Sequence, residues 1–178
     1  MKRLLTLTAA APLLLASCGK SAESAMEGFC SDLSAGQWEQ AVTRLGGKGD
    51  LQDTLKDPEA RQLLDAMLGS AKCKVVAAKD NTVTLEMDTV NGQAVMTTVM
   101  ADAMGLALMT PEGGTDNEQA LQDALVAKLT VGLTSKDAPR SVNRVDVVLQ
   151  QEGGEWVPAE SNDPFASALT GGMDKFGE

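Results

Sequence analysis

The chain has 178 residues, of which 15 are Lys or Arg and 25 are Asp or Glu, so its formal net charge is −10. This acidic balance argues against nucleic-acid binding, because phosphate-binding surfaces need clustered Lys and Arg. The chain also has no His and no Tyr, which removes the commonest general base, the commonest zinc ligand and a frequent proton donor. We therefore expect no enzyme activity, no cofactor and no metal site.

A short apolar segment opens the chain. Lys2 and Arg3 precede an uncharged run over residues 4–16, which is the layout of a secretory signal. The run is too short to cross a membrane, because a transmembrane helix needs about 20 apolar residues. Leu15-Ala16-Ser17-Cys18 then resembles the lipobox of bacterial lipoproteins, in which an aliphatic and two small residues precede the cysteine that receives the lipid.

The lipobox resemblance divides the chain into three segments. We expect residues 1–17 to be a signal peptide cleaved before Cys18, residues 18–23 to be a short tether, and residues 24–178 to form one domain. Loss of the two basic residues in the signal lowers the formal net charge from −10 to −12, which disfavours adsorption to anionic lipid. Lipid chains such as palmitate on Cys18 would therefore anchor the protein in the bacterial cell envelope, facing the periplasm or the cell exterior.

Three helices are predicted at the start of the domain. Apolar residues recur at helical spacing over residues 25–33 and again over residues 38–45, and Gly36 separates the two segments. A third helix begins where Asp57 can cap the first turn and Pro58 can occupy its first position.

Two β-hairpins are predicted next, with helices between them. The first hairpin turns at Asp80-Asn81 and the second turns at Gly153-Gly154. Asn91-Gly92 also fits a hairpin turn, but the apolar run continues to Met109, and this length favours a largely buried helix. An amphipathic helix with leucines at every fourth residue follows it, and Asp163 begins a C-terminal helix. The chain is thus predicted to be an α+β domain with an antiparallel sheet of about four strands.

This order of elements resembles a group of small bacterial lipoproteins whose domain is similar to the cystatin-like and nuclear transport factor 2-like folds. The resemblance is sharpest at Val142-Asn143, at residues 154–156 and at residues 168–172. It implies a cone-shaped α+β fold in which Trp156 packs the sheet against a helix and Leu169 covers one end. It implies no catalytic reaction.

Two cysteines remain if Cys18 carries the lipid. Cys30 lies on the apolar side of the first helix, and Cys73 begins the first strand. Because export favours oxidation, we expect a disulfide between them. The alternative is a pair of buried free thiols.

Met96, Met100 and Met104 are spaced four residues apart, which places them on one face of the predicted helix. We expect this methionine stripe to pack on the inner face of the sheet near Trp156, with any small-molecule site beside it. Thioether sulfur is also a ligand for Cu(I), but packing is the ordinary role of methionine on an apolar helix.

Two hypotheses for function follow. In the first, the domain is a non-catalytic binding or scaffold module of the envelope that contacts a protein partner through an exposed surface. In the second, it carries or senses a small apolar ligand held between the sheet and the helices. A contiguous apolar patch facing solvent would favour the first, and a closed cavity lined by methionine and leucine would favour the second.

Overall fold

The computed structural model describes residues 21–46, 56–109, 115–160 and 162–175, and the side chains of residues 106–121 are not described. The predicted signal peptide and Cys18 lie outside the described residues, so cleavage and lipidation stay predictions. None of the described helices combines the length and the apolar character needed to span a membrane.

The described residues form an α+β fold with one four-stranded sheet. All neighbouring strands are antiparallel, and the strand order is β1-β2-β3-β4. Two helices connect β2 to β3, as the sequence predicts. In chain order the elements are α1 (Ala22–Ser34), α2 (Trp38–Arg44), α3 (Pro58–Leu68), β1 (Lys72–Lys79), β2 (Thr82–Val90), α4 (Gly92–Met109), α5 (Thr115–Thr134), β3 (Arg140–Glu152), β4 (Glu155–Pro158), α6 (Asp163–Leu169) and a 3₁₀ turn (Met173–Lys175).

The turns and helix starts have the local chemistry that the sequence predicts. Asp80 in the first hairpin turn has a φ of +56°, and both glycines of the second turn, Gly153 and Gly154, also have positive φ. The Asp57 carboxylate accepts hydrogen bonds from the N–H groups of the first turn of α3. The Asn91 side chain accepts the Ala94 N–H at 2.9 Å, so this residue caps α4 and does not form a hairpin turn.

The inner face of the sheet is apolar and buried. Val83 pairs with Val147, and Leu85 pairs with Val145 on the neighbouring strand. All four side chains are buried, because residues that alternate along a strand share one face. These residues form one continuous apolar face of the sheet.

Two helices cover this face, and neither is the predicted one. The helix α1 lies against β1 and β2, and α6 lies against β3 and β2. They meet where Phe29 and Phe165 pack edge to face, with ring centroids 5.6 Å apart. The prediction that the methionine helix α4 covers the sheet is therefore wrong.

The helix α4 instead forms a hairpin with α5. Over the part of α4 whose side chains are described, the buried ones are Val95, Val99 and Ala103, which form one narrow stripe. A Cβ atom at Gly132 of α5 would lie 2.7 Å from the Val95 side chain, so the two helices approach closely there. Asp102 and Lys128 form an ion pair between the helices. Because α4 packs against α5 through this narrow stripe, most of the described part of its circumference is open to solvent.

Candidate interaction surface

The predicted cysteine pair is joined. Cys30 of α1 and Cys73 of β1 form a disulfide with a Cα–Cα distance of 4.9 Å and a sequence separation of 43 residues. The bond ties the helix that covers the sheet to the first strand. Beside it, the Ser34 hydroxyl accepts the Cys73 N–H at 3.1 Å and donates to the Cys73 carbonyl at 3.3 Å.

The methionine stripe lies mainly on the surface. Met96 is half-buried against the core, whereas Met100 is 41% exposed and Met104 is 67% exposed. The prediction of a buried stripe is wrong because α4 packs through the neighbouring stripe of valines. Met100 and Met104 are one helical turn apart, so their side chains are adjacent on the surface.

Trp156 lies near one end of β3, and the start of α4 lies near the other end. Trp156 is half-buried in β4, where it pairs with Gln151 beside the second hairpin turn. The helix α4 begins beside the opposite end of β3, because Val90 pairs with Arg140. Eleven strand residues separate these ends, or about 35 Å at 3.3 Å per residue. Neither of the two described cavities is lined by any of the four residues predicted to form a ligand site, so that site stays a prediction.

The outer face of the sheet is polar and open to solvent. Glu86 in the centre of this face binds Lys74 of β1 and Arg144 of β3, at 2.5 Å and 2.8 Å. Two hydrogen bonds hold the pKa of the Glu86 carboxyl below its ordinary value. The bond from Lys74 has the larger effect, and the bond from Arg144 has the smaller one. The sequence alone does not predict this cluster, because the cluster depends on the register between three strands.

Two further polar contacts cross from β3 to β2 on the same face. The Thr84 hydroxyl donates to the Asp146 carboxylate at 2.6 Å. Arg140 donates to the Asp88 carboxylate and carbonyl and to the Ser70 carbonyl. Each charged side chain of this part of β3 is therefore held over the neighbouring strand.

Two cavities among the described residues lie outside the sheet core, and both have mixed linings of polar and apolar groups. One of about 350 Å³ lies between the ends of α3 and α5 and is lined in part by Asp65, Lys136 and Arg140. The other, of about 440 Å³, surrounds the first hairpin turn and includes Lys79 and Asp146. Neither is a closed pocket of methionine and leucine. Among the described residues, no group of three or more acidic or cysteine side chains is placed to hold a metal ion.

Comparisons with protein-family models, with curated proteins and with solved structures found no match to this chain.

Proposed function

We propose that this chain is a lipid-anchored lipoprotein of the bacterial cell envelope, and that its domain is a non-catalytic module that binds a protein partner. The observation that carries the proposal is the exposed pair Met100 and Met104. A helix that packs through its valine stripe and still presents two adjacent methionines to solvent has a surface suited to an apolar contact. Neither of the two described cavities is a closed pocket of methionine and leucine, so neither gives comparable support to a small apolar ligand.

The partner is a protein surface and not a lipid bilayer. The formal net charge of −10 makes close approach to an anionic membrane unfavourable. The neighbouring charges on the α4–α5 hairpin, Asp102 and Lys128, neutralise each other, so this pair offers no net positive charge to bind phosphate beside the methionines. An apolar patch on the partner would remove both methionines from water.

The membrane anchor is tested by fractionation. The Cys18→Ala variant should leave the membrane fraction or accumulate unprocessed, because a stable anchor requires the acyl chains. A variant as firmly membrane-bound as the parent chain would contradict the anchor at Cys18.

The partner site is tested by photo-cross-linking in the envelope. A photoreactive residue at Met104 should give one discrete protein adduct, whereas the same residue at Thr98, which is exposed on another face of α4, should not. The adduct should persist in Met100→Leu, which keeps the apolar surface, and should be lost in Met100→Gln. Equal adducts from both positions, or none, would contradict the proposal. Loss in Met100→Leu would also contradict it and would indicate a role for the sulfur itself, such as Cu(I) ligation.

A further inference from the structure

The two free sides of the sheet differ in how they are protected. Exposed strand edges invite pairing with another chain, and proteins usually block them with lysines, bulges or covering groups. The β1 edge has all three protections. It carries Lys72 and Lys79, its register shifts between Val75 and Ala77, and the Ser34 hydroxyl occupies the N–H and C=O groups of Cys73.

The other side of β3 has none of these protections over residues 140–146 among the residues that the structure describes. The strand β4 pairs only with residues 149–152, and Ala159 and Asn162 bond to the backbone of Val148. Because backbone groups alternate along an antiparallel strand, those of Arg140, Val142, Arg144 and Asp146 point to the same side as those of Val148. No described residue bonds to them there. We refer to this row as the open edge.

The open edge is regular and accessible. Its pairing with β2 runs without a shift from Arg140 to Val148, and it contains neither proline nor lysine. Val142 is 64% exposed. The charged side chains do not guard the edge, because Arg140, Arg144 and Asp146 all bond to side chains of β2. The backbone groups therefore face solvent without an obstacle among the described residues.

We propose that the open edge pairs with the same edge of a second copy of this chain, so that two sheets join into one across a two-fold axis at Asn143. This self-association does not depend on the proposed membrane anchor or on the partner of the methionine pair. Antiparallel pairing about Asn143 would form about eight main-chain hydrogen bonds.

Charge and space favour this register over the neighbouring ones that a two-fold axis also allows. An axis at Val142 would place Arg140 opposite the copy's Arg144, which brings like charges together. An axis at Arg144 would place this residue opposite its own copy, and like charges directly opposite are destabilising. An axis at Val145 would bring Val142 of the copy against Val148, whose edge groups Ala159 and Asn162 already occupy. The axis at Asn143 avoids both problems and places Arg140 opposite the copy's Asp146.

The arrangement is also compatible with two chains anchored in one membrane. A two-fold axis between antiparallel strands is perpendicular to the sheet, so it leaves α1 of both copies on the same side of the joined sheet. Both chains would then extend from Ser21, at the start of α1, on that common side.

Cysteine cross-linking of the full-length chain tests the proposal. Residues opposite each other in a non-hydrogen-bonded pair have Cα atoms about 4.5 Å apart, which suits a disulfide. Under mild oxidation, Asn143→Cys should become mainly a covalent dimer that reduction reverses. Arg144→Cys should remain monomeric, because residue 144 lies opposite residue 142 of the copy and only diagonally across from the copy's residue 144. Gln122→Cys, which is exposed on α5, controls for random collision. A dimer yield at residue 143 no higher than at residue 122 would overturn the proposal, and a dominant dimer at residue 144 would overturn the register.

A proline at the open edge gives an independent test. The N–H of Val142 has no described partner, so Val142→Pro should leave the folded monomer intact, as prolines are tolerated on edge strands. It should abolish the cross-link at residue 143 and the concentration-dependent protection of the amides of Arg144 and Asp146 from hydrogen exchange. A folded Val142→Pro variant that still cross-links through residue 143 would overturn the proposal.

Discussion

Phe29 of α1 and Phe165 of α6 pack edge to face at an interplanar angle of 65°, and this contact joins the two helices that cover the sheet. Phe29 is fully buried and Phe165 is 6% exposed. We predict that Phe165→Ala lowers the free energy of unfolding by about 3–5 kcal/mol, because it leaves a cavity between helix and sheet. Phe165→Leu should cost much less. Denaturant unfolding measures both, and equal costs would contradict the cavity explanation, because they would show that the aromatic ring itself is required.

The Cys30–Cys73 disulfide restricts the unfolded chain. A loop closed over 43 residues is expected to contribute about 4 kcal/mol by the chain-entropy estimate. The double variant Cys30→Ala/Cys73→Ala should therefore unfold at a lower denaturant concentration than the oxidised parent. Alkylation of the denatured, unreduced parent, followed by mass spectrometry, should find both cysteines unmodified. Alkylation at either position would contradict the bond.

Glu86 gives the sheet a pH dependence with a definite sign. Its pKa is lowered in the folded protein, first by the hydrogen bond from Lys74 and then by that from Arg144. The carboxylate therefore stabilises the fold fully above its unfolded pKa of about 4.3, and this contribution is lost as the pH falls through the lowered folded value.

The free energy of unfolding of the parent chain should exceed that of Glu86→Gln at neutral pH. This difference should shrink as the pH falls below the pKa of the carboxyl in the unfolded chain. An NMR titration of the Glu86 side-chain carboxyl should show the lowered pKa directly, and Lys74→Gln should raise it toward the ordinary value. A midpoint at the ordinary value in the parent chain would show that the cluster does not form in solution.

Local signals in the sequence were sufficient for the elements but not for their packing. The turns at Asp80-Asn81 and Gly153-Gly154 have residues that adopt positive φ, and they separate strands whose alternation already marks an inner face. The helix α4 is apolar nearly all round, so its sequence does not show which stripe is buried. That choice depends on the close approach of Gly132 to Val95, a contact between two helices that a helical pattern alone cannot predict.

The surface features depend still more on topology. The cluster around Glu86 requires Lys74, Glu86 and Arg144 to fall in register on three strands. The open edge exists because β4 is four residues long and β3 is thirteen. Hairpin signals show that two strands pair, but they do not show which part of the longer strand is left without a neighbour.

Gly171 and Gly153 form a matched pair for testing backbone packing. Their φ angles are +60° and +59°, so alanine brings the same conformational strain to both, about 1–2 kcal/mol. At Gly171, however, a Cβ atom would lie 1.9 Å from the Val90 carbonyl oxygen, whereas at Gly153 it would meet nothing within 4 Å. We predict that Gly171→Ala costs several kcal/mol more than Gly153→Ala in urea unfolding. Similar costs would contradict the close contact between the end of α6 and the end of β2.

Val99 and Met100 are neighbours on α4 that the structure places in different environments. Val99 is 6% exposed in the stripe facing α5, and Met100 is 41% exposed. We predict that Val99→Asp lowers the free energy of unfolding by roughly 3–5 kcal/mol, because it buries an unpaired charge. Met100→Asp should cost only about 0.5 kcal/mol, which is the ordinary range for an exposed helix position.

The comparison separates stability from binding. If Met100 serves a partner and not the core, Met100→Asp should remain folded to nearly the same denaturant concentration while it loses the adduct formed from residue 104. Met100→Leu should keep both properties, since it preserves the apolar side chain. A loss of stability in Met100→Asp as large as that in Val99→Asp would mean that this methionine is buried in solution. The exposed pair could then no longer carry the proposed function.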